Sequence, residues 1–324
     1  MLTDRFNRRI NYLRISVTDR CNLKCKYCVD GKFPFMPHSE ILSYEEIIRF
    51  VRVCSELGIR KIRLTGGEPL LRKGIEFLIK EISSIERIED VSLTTNGVLL
   101  EERIYELKQA GLKRVNISLD TLRRERFKYI TGFDEIDKVV NGIEKALEAG
   151  LKPVKINTVI MRDINDDEVL EFVSLAKNLE VDVRFIEFMP FGEAGFWDEK
   201  RVVTSEFLEK YISEFFELEP DLNSDKGPAV VYKIKGGRGR LGFISPLSSH
   251  ICSECNRIRL TSEGMIKPCL FSDVEYNLKE RLRNGVTDKE ITELVIKAVR
   301  DKPKDKEEHG QIKKCQRNLR HIGG

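Results

Sequence analysis

Nowhere in the 324 residues is there an uncharged run longer than the 13 from Leu241 to Ser253, so no segment is long and apolar enough to cross a bilayer as a helix. The amino terminus has no apolar run of the signal-peptide kind, and the expected compartment is the cytoplasm. Excess charge of either sign is also missing. The 56 Lys and Arg against 53 Asp and Glu leave +3, which gives no case for a general nucleic-acid binder. There is no internal repeat of fixed period, and the composition is unlike that of collagen, coiled coils or disordered chains. What remains is a globular chain with 41% hydrophobic and 34% charged residues. That is enough for two domains, or for one large α/β unit with an appendage.

Cysteine is the informative residue. There are 8, and in a cytoplasmic chain that number argues for metal ligation over disulfides. Cys21, Cys25 and Cys28 form C-x3-C-x2-C, and Cys252, Cys255 and Cys269 form C-x2-C-x13-C. Structural zinc and most iron–sulfur cubanes take four protein ligands, so three per site leaves each site open for chemistry. Competing readings exist. The first trio also shares a helical face, although Asp19-Arg20 and Asn22-Leu23-Lys24 suit a buried face poorly. The second would bind zinc if His250 served as fourth ligand. Cys54 follows Ile47 and Val51 at helical spacing and reads as core, while Cys315 sits in a charged tail and has no evident role.

From residue 10 to about 188, β-branched runs alternate with amphipathic segments. Strands are expected at Tyr12–Thr18, Lys61–Thr65, Val91–Thr95, Arg114–Leu119, Pro153–Ile160 and Val181–Phe188. Helices are expected from a Ser43/Glu46 capping box to a stop at Gly58, and near 72–84, 101–110, 135–149 and 166–179. One strand face is polar: Arg14, Ser16, Thr18; Arg63, Thr65; Ser92, Thr94; Asn116, Ser118, Asp120; Lys155, Asn157. The other carries Leu13, Ile15, Ile62, Leu64, Val115, Ile117, Val154 and Ile156. A closed (β/α)8 barrel fills its interior with aliphatic side chains. A polar inner face instead implies a wet lumen, because burying it unpaired is costly.

The expected fold is therefore α/β: an incomplete (β/α)6 TIM-like barrel with a smaller C-terminal α+β region covering the open side. The core spans 1–225, and the region 226–324 carries the second triad and ends in Gly323-Gly324. Arg14, Arg63, Lys155 and Arg184 belong to or adjoin the polar face. A polyanion such as a nucleotide phosphate would account for four cations there.

Cys21-Asn22-Leu23-Lys24-Cys25-Lys26-Tyr27-Cys28, directly after a strand, resembles the signature of the radical S-adenosylmethionine (SAM) enzymes. Thr65-Gly66-Gly67-Glu68-Pro69 is similar to that family's SAM-binding stretch. The second triad, followed by Arg257-Ile258-Arg259, and the terminal His321-Ile322-Gly323-Gly324 resemble the GTP 3',8-cyclase family of molybdenum-cofactor biosynthesis. The resemblance implies two 4Fe-4S clusters, one on each triad, the second meeting the guanine base.

It further implies SAM contacts from Tyr27, Gly67, Ser118 and Met189. GTP contacts fall to Arg14, Arg63, Thr94, Lys155, Arg184, Arg257, Ile258 and Arg259, and a catalytic part to Gly323 and Gly324. The implied reaction is abstraction of the ribose C3' hydrogen by a 5'-deoxyadenosyl radical, then attack on guanine C8. The implied partners are an external electron donor and a downstream cyclic pyranopterin monophosphate synthase, with no nucleic acid and no membrane. Two readings compete: a two-cluster radical SAM peptide-modifying enzyme, and a non-enzymatic zinc-binding interaction protein.

Overall fold

The computed structural model describes residues 1–28, 35–191, 196–222, 227–248, 251–305, 308 and 319–322. Among the described residues, twelve strands and ten α-helices follow in chain order. β1 (Tyr12–Ser16), α1 (Tyr44–Leu57), β2 (Lys61–Thr65), α2 (Ile75–Ser83), β3 (Asp90–Thr95), α3 (Leu100–Gln109) and β4 (Arg114–Ser118) come first. Next are α4 (Arg124–Thr131), α5 (Ile136–Glu148), β5 (Val154–Ile160), α6 (Val169–Asn178), β6 (Val181–Glu187) and α7 (Ser205–Ser213). The remainder comprises β7 (Leu218–Pro220), β8 (Val230–Ile234), β9 (Arg240–Ile244), β10 (Arg257–Leu260), β11 (Met265–Lys267) and β12 (Tyr276–Asn277), then α8 (Leu278–Arg283), α9 (Asp288–Arg300) and α10 (Leu319–Ile322).

All twelve strands form one sheet, in the order β12-β11-β10-β1-β2-β3-β4-β5-β6-β9-β8-β7. The strands β1 to β6 are parallel neighbours in sequence order, as the alternation of strand and helix signals requires. The C-terminal strands extend this sheet at both edges. β10 runs parallel to β1 and β9 parallel to β6, so eight consecutive parallel strands result. The antiparallel strands β8 and β7 lie beyond β9, and β11 and β12 beyond β10. Among the described residues β9 and β10 do not pair, and the barrel stays open along that seam.

Local signals act where expected. The Ser43 hydroxyl accepts from Glu46 N, Ser43 N donates to the Glu46 carboxylate, and Gly58 closes α1 at φ 109°. Leu13, Ile15, Ile62, Leu64, Val115, Ile117, Val154 and Ile156 are fully buried in a core shared with Ile47, Phe50, Val51 and Cys54 of α1. Each such side chain contributes about 1.5–3 kcal/mol. Helix α4 has no counterpart in the sequence reading. Its RERFKYIT segment buries only Phe127, Ile130 and Thr131 and has no side-chain cap. Ion pairs from Arg123, Arg124 and Arg126 to Asp134, Asp137, Asp167 and Glu171 hold it in place, and hydropathy patterning does not register these.

Candidate active site

The first triad sits in the loop leaving β1, and two neighbours shape that loop. The turn after β2 lies against it: Gly67 N donates to Thr18 O and Glu68 N to Arg20 O, both at 2.7 Å. A Cβ on Gly67 would stand 2.3 Å from Arg20 O, so only glycine allows this approach. On the other side, Lys24 N donates to Thr131 O at 2.9 Å and Lys26 N to Ile130 O at 3.0 Å. The helix that sequence patterning passes over is therefore a wall of the cysteine loop.

Glu68 is fully buried and accepts from Leu70 N, the Thr95 hydroxyl and Asn96 N at 2.7–3.0 Å. Asn96 in turn donates to Asn22 Oδ1 at 2.7 Å and to Cys21 Sγ at 3.7 Å. Leu23 N also points at Cys21 Sγ, at 3.5 Å. Burial, then Glu68, pushes the Cys21 thiol up to about 11, and burial, then Cys21, pushes Cys28 up to about 12. Burial, then Cys28 and Asp120, holds Cys25 well above the ordinary thiol range. Buried thiols of this kind hold their protons in the ligand-free protein, so binding a metal there would release them. Tyr27 Oη donates to Asp120 Oδ2 at 2.6 Å, and burial raises Asp120 to about 6.

The second triad is set in different surroundings. Cys255 N donates to Cys252 O at 3.2 Å, and Arg8, paired with Asp4, donates to the same carbonyl at 2.8 Å. Arg257 points a guanidinium nitrogen at Cys255 Sγ at 3.8 Å. Burial alone would raise the Cys255 thiol, but Arg257 and Lys302 outweigh it and bring it down to about 6. His250, the alternative fourth ligand, lies outside the described residues, as do Cys315, Gly323 and Gly324.

Strand register brings the polar face together. Arg14 is level with Arg63 and Arg259, Ser92 with Arg63 and Arg114, Asn116 with Thr94 and Lys155, and Asn157 with Ser118 and Arg184. Gly242 stands beside Arg184, where a Cβ would press on Arg184 Cγ at 3.2 Å. Burial and mutual repulsion weaken these cations. Burial, then Arg259 and Arg63, holds Arg14 well below its ordinary value. Burial, then Arg63, brings Arg184 to about 10, and burial, then Arg257, does the same for Arg259. Burial, then Arg184 and Arg114, brings Lys155 to about 6. The Thr94 hydroxyl and the Asn116 carbonyl oxygen are buried without a hydrogen-bond partner among the described residues. Converging cations and orphaned polar atoms mark a face built to receive an anionic, hydrogen-bonding ligand.

A cavity opens onto this face. It is lined by Arg14, Arg63, Arg184, Met189, Arg257, Arg259 and all three cysteines of the second triad. Thr94, Ser118 and Lys155 sit on the same strand face but outside that lining. Ile258 lies elsewhere. Its side chain is fully buried in the core, level with Leu13, so only its backbone is available to a ligand. Arg114, with Asp90 as partner, and Asp182, held by Arg240, complete the face. Extending the period-2 pattern of Asn116 and Ser118 back by one step would have found Arg114. Among the described residues no three His, Cys, Asp or Glu side chains converge as ligands of a single ion. A cubane spreads its thiolates over separate irons, and the two trios suit that donor set.

The chain matches the Radical SAM superfamily over residues 15–176 and Molybdenum Cofactor Synthesis C over 181–308. Streptococcus suis SuiB bound to S-adenosylmethionine shares the fold, with a TM-score of 0.62 at 17% identity. That match covers 84% of this chain and 64% of the longer SuiB chain. By family and fold the chain is a radical SAM enzyme. A protein of Syntrophomonas wolfei subsp. wolfei named GTP 3',8-cyclase is 50% identical over 326 residues, covering 100% of both chains. One of that name from Thermodesulfovibrio yellowstonii is 48% identical over 325 residues, again covering 100% of both. The chain belongs to the GTP 3',8-cyclase family.

Proposed function

We propose that the enzyme converts GTP to (8S)-3',8-cyclo-7,8-dihydroguanosine 5'-triphosphate, opening molybdenum-cofactor biosynthesis. Cys21, Cys25 and Cys28 would hold the SAM-cleaving 4Fe-4S cluster. Cys252, Cys255 and Cys269 would hold a second one that meets the purine. When bound, the first cluster and SAM supply a carbon radical able to take a ribose hydrogen atom. The observation that carries the reading is the shared cavity, where the second triad faces a floor of buried arginines.

The residues then have separable tasks. Arg14, Arg63, Arg184, Arg257 and Arg259 neutralise the triphosphate, whose charge removes their mutual repulsion. Thr94 and Lys155 add polar contacts from the same strand face. Tyr27, Gly67, Ser118 and Met189 seat SAM, with Gly67 leaving backbone exposed and the Tyr27–Asp120 bond fixing the ring. Fixed placement of two substrates in a walled lumen is the protein's main catalytic contribution. Gly323 and Gly324 follow α10, whose Ile322 is buried against Phe191. They would complete the site from that anchor.

On this reading residues 1–225 form the radical-generating core and 226–324 the substrate-binding region. An external one-electron donor reduces the enzyme, and a cyclic pyranopterin monophosphate synthase consumes the product. The 7 cysteines among the described residues are all free, which supports a reducing, cytoplasmic setting. No helix among the described residues is long and apolar enough to cross a membrane.

The test is GTP-dependent release of 5'-deoxyadenosine under a strong reductant, with iron measured in parallel. Release only with GTP, at about eight irons per chain, is expected. SAM cleavage driven equally well by a peptide, or indifferent to GTP, sinks the cyclase reading.

A further inference from the structure

We propose that Lys302 is the resident counter-cation of the second triad and makes that site easier to reduce than the first. The inference rests on the reading of Cys252, Cys255 and Cys269 as cluster ligands. It concerns a residue which no motif singles out, in the segment after α9.

Lys302 is 2% exposed, as little as a core leucine. Its Nζ donates to Arg257 O at 2.9 Å and to Pro268 O at 2.8 Å. Those carbonyls belong to the two limbs that carry Cys255 and Cys269, so one ammonium straps both limbs together. An ammonium has three N–H donors, and two are used. Lys302 also lines the cavity beside the three cysteines. Among the described residues no carboxylate pairs with it. Arg8, also buried and near Cys252, has Asp4 as its partner. A buried cation needs a counter-charge, and at this place thiolate sulfurs are the available anions.

The first triad has the opposite setting. Two buried carboxylates flank it: Glu68 holds the Asn96 that donates to Cys21 Sγ, and Asp120 holds the ring of Tyr27 between Cys25 and Cys28, with Arg320 near Cys28 a partial offset. Net charge around a cluster is a principal lever on its reduction potential, because a nearby cation favours the more negative, reduced form. Carboxylates at one site and Lys302 with Arg257 at the other therefore separate the two potentials. The low one belongs where SAM is cleaved and the high one where the purine lies.

The test is an anaerobic redox titration of the full-length, reconstituted enzyme, followed by electron paramagnetic resonance and by iron per chain. Addition of SAM identifies the signal of the first cluster. In the unsubstituted enzyme the second cluster should be reduced at the higher potential. Lys302→Met should retain iron and move only the second wave to lower potential, while Lys302→Arg should behave as the parent. Loss of the second cluster in Lys302→Met with retention in Lys302→Arg also supports the counter-cation role. A fully loaded Lys302→Met with an unmoved wave overturns it, and so does an equal defect in Lys302→Arg, which would point to packing. A parent enzyme with about four irons would instead defeat the two-cluster reading itself.

Discussion

The carboxylate of Glu187, at the end of β6, accepts a hydrogen bond from the backbone N–H of Ser248 at 3.0 Å and another from its hydroxyl. It also accepts from Leu247 N at 2.9 Å and Ser205 N at 3.0 Å, and is itself 1% exposed. One buried side chain thus ties the barrel wall to α7 and to the loop that runs into the second triad. Glu187→Ala leaves the buried Ser205 N–H unmatched, at about 1–3 kcal/mol, and releases the part-buried donors of Leu247 and Ser248 to water. A loss of about 1–3 kcal/mol in denaturant unfolding of the cluster-free chain is expected, with Glu187→Gln less affected. Equal stability of Glu187→Ala and parent would contradict the arrangement.

Gly67 offers a sharper test of the first triad. An added methyl would meet Arg20 O at 2.3 Å and force the turn after β2 off the cysteine loop. Overpacking of this kind costs about 1–3 kcal/mol. Gly67→Ala should fold but lose the first cluster, so that reconstitution gives about half the parent's iron. Full iron content together with tight SAM binding in Gly67→Ala would show that the close approach is dispensable.

On the proposed function, Lys155 should make GTP binding pH-dependent. In the unfolded chain its amine stays protonated to about pH 10.4, whereas in the fold burial, Arg184 and Arg114 bring it to about 6. Between these values the unfolded chain holds the extra proton, so the ligand-free fold gains stability as pH rises through the window. A triphosphate beside the amine restores the charged form. Binding of GTP near pH 7.5 should then draw protons from solution, a net uptake of up to about one per site. Calorimetry in two buffers of unlike ionisation enthalpy reads this uptake, which Lys155→Met should abolish. Identical heats in both buffers for the parent would refute the linkage.

Removing Gly323 and Gly324 should leave the fold and both iron centres intact. Ile322 would remain buried with Phe191, and Ser16 would still donate to Arg320 O at 3.4 Å. Cyclisation should fall by at least two orders of magnitude while iron per chain is unchanged. Parent-like turnover in the truncated enzyme would remove the tail from the mechanism.

Much of this organisation is legible in the chain. β1 to β6 fall within two residues of their expected spans, because parallel strands covered on one side by helices carry unbroken Val and Ile on that face. The period-2 polar residues line up side by side on adjacent strands for the same reason. What escaped notice is stabilised by contacts between segments distant in sequence. Helix α4 depends on ion pairs over tens of residues, and Glu187 binds backbone about sixty positions away. Lys302 looks like one more lysine of a charged tail until the fold buries it. The destination of β9 and β10 is likewise set by open edges waiting on the barrel, which no local pattern records.

Those edges carry a consequence for how the polypeptide must be made. β1 is completed on its outer side by β10, and β6 by β9, and both partners arise late in the chain. A nascent polypeptide halted near residue 225 would present two long ribbons of unsatisfied backbone donors and acceptors, an invitation to intermolecular pairing. Synthesis of the last hundred residues therefore protects the first two hundred from self-association, whatever else those residues contribute to turnover.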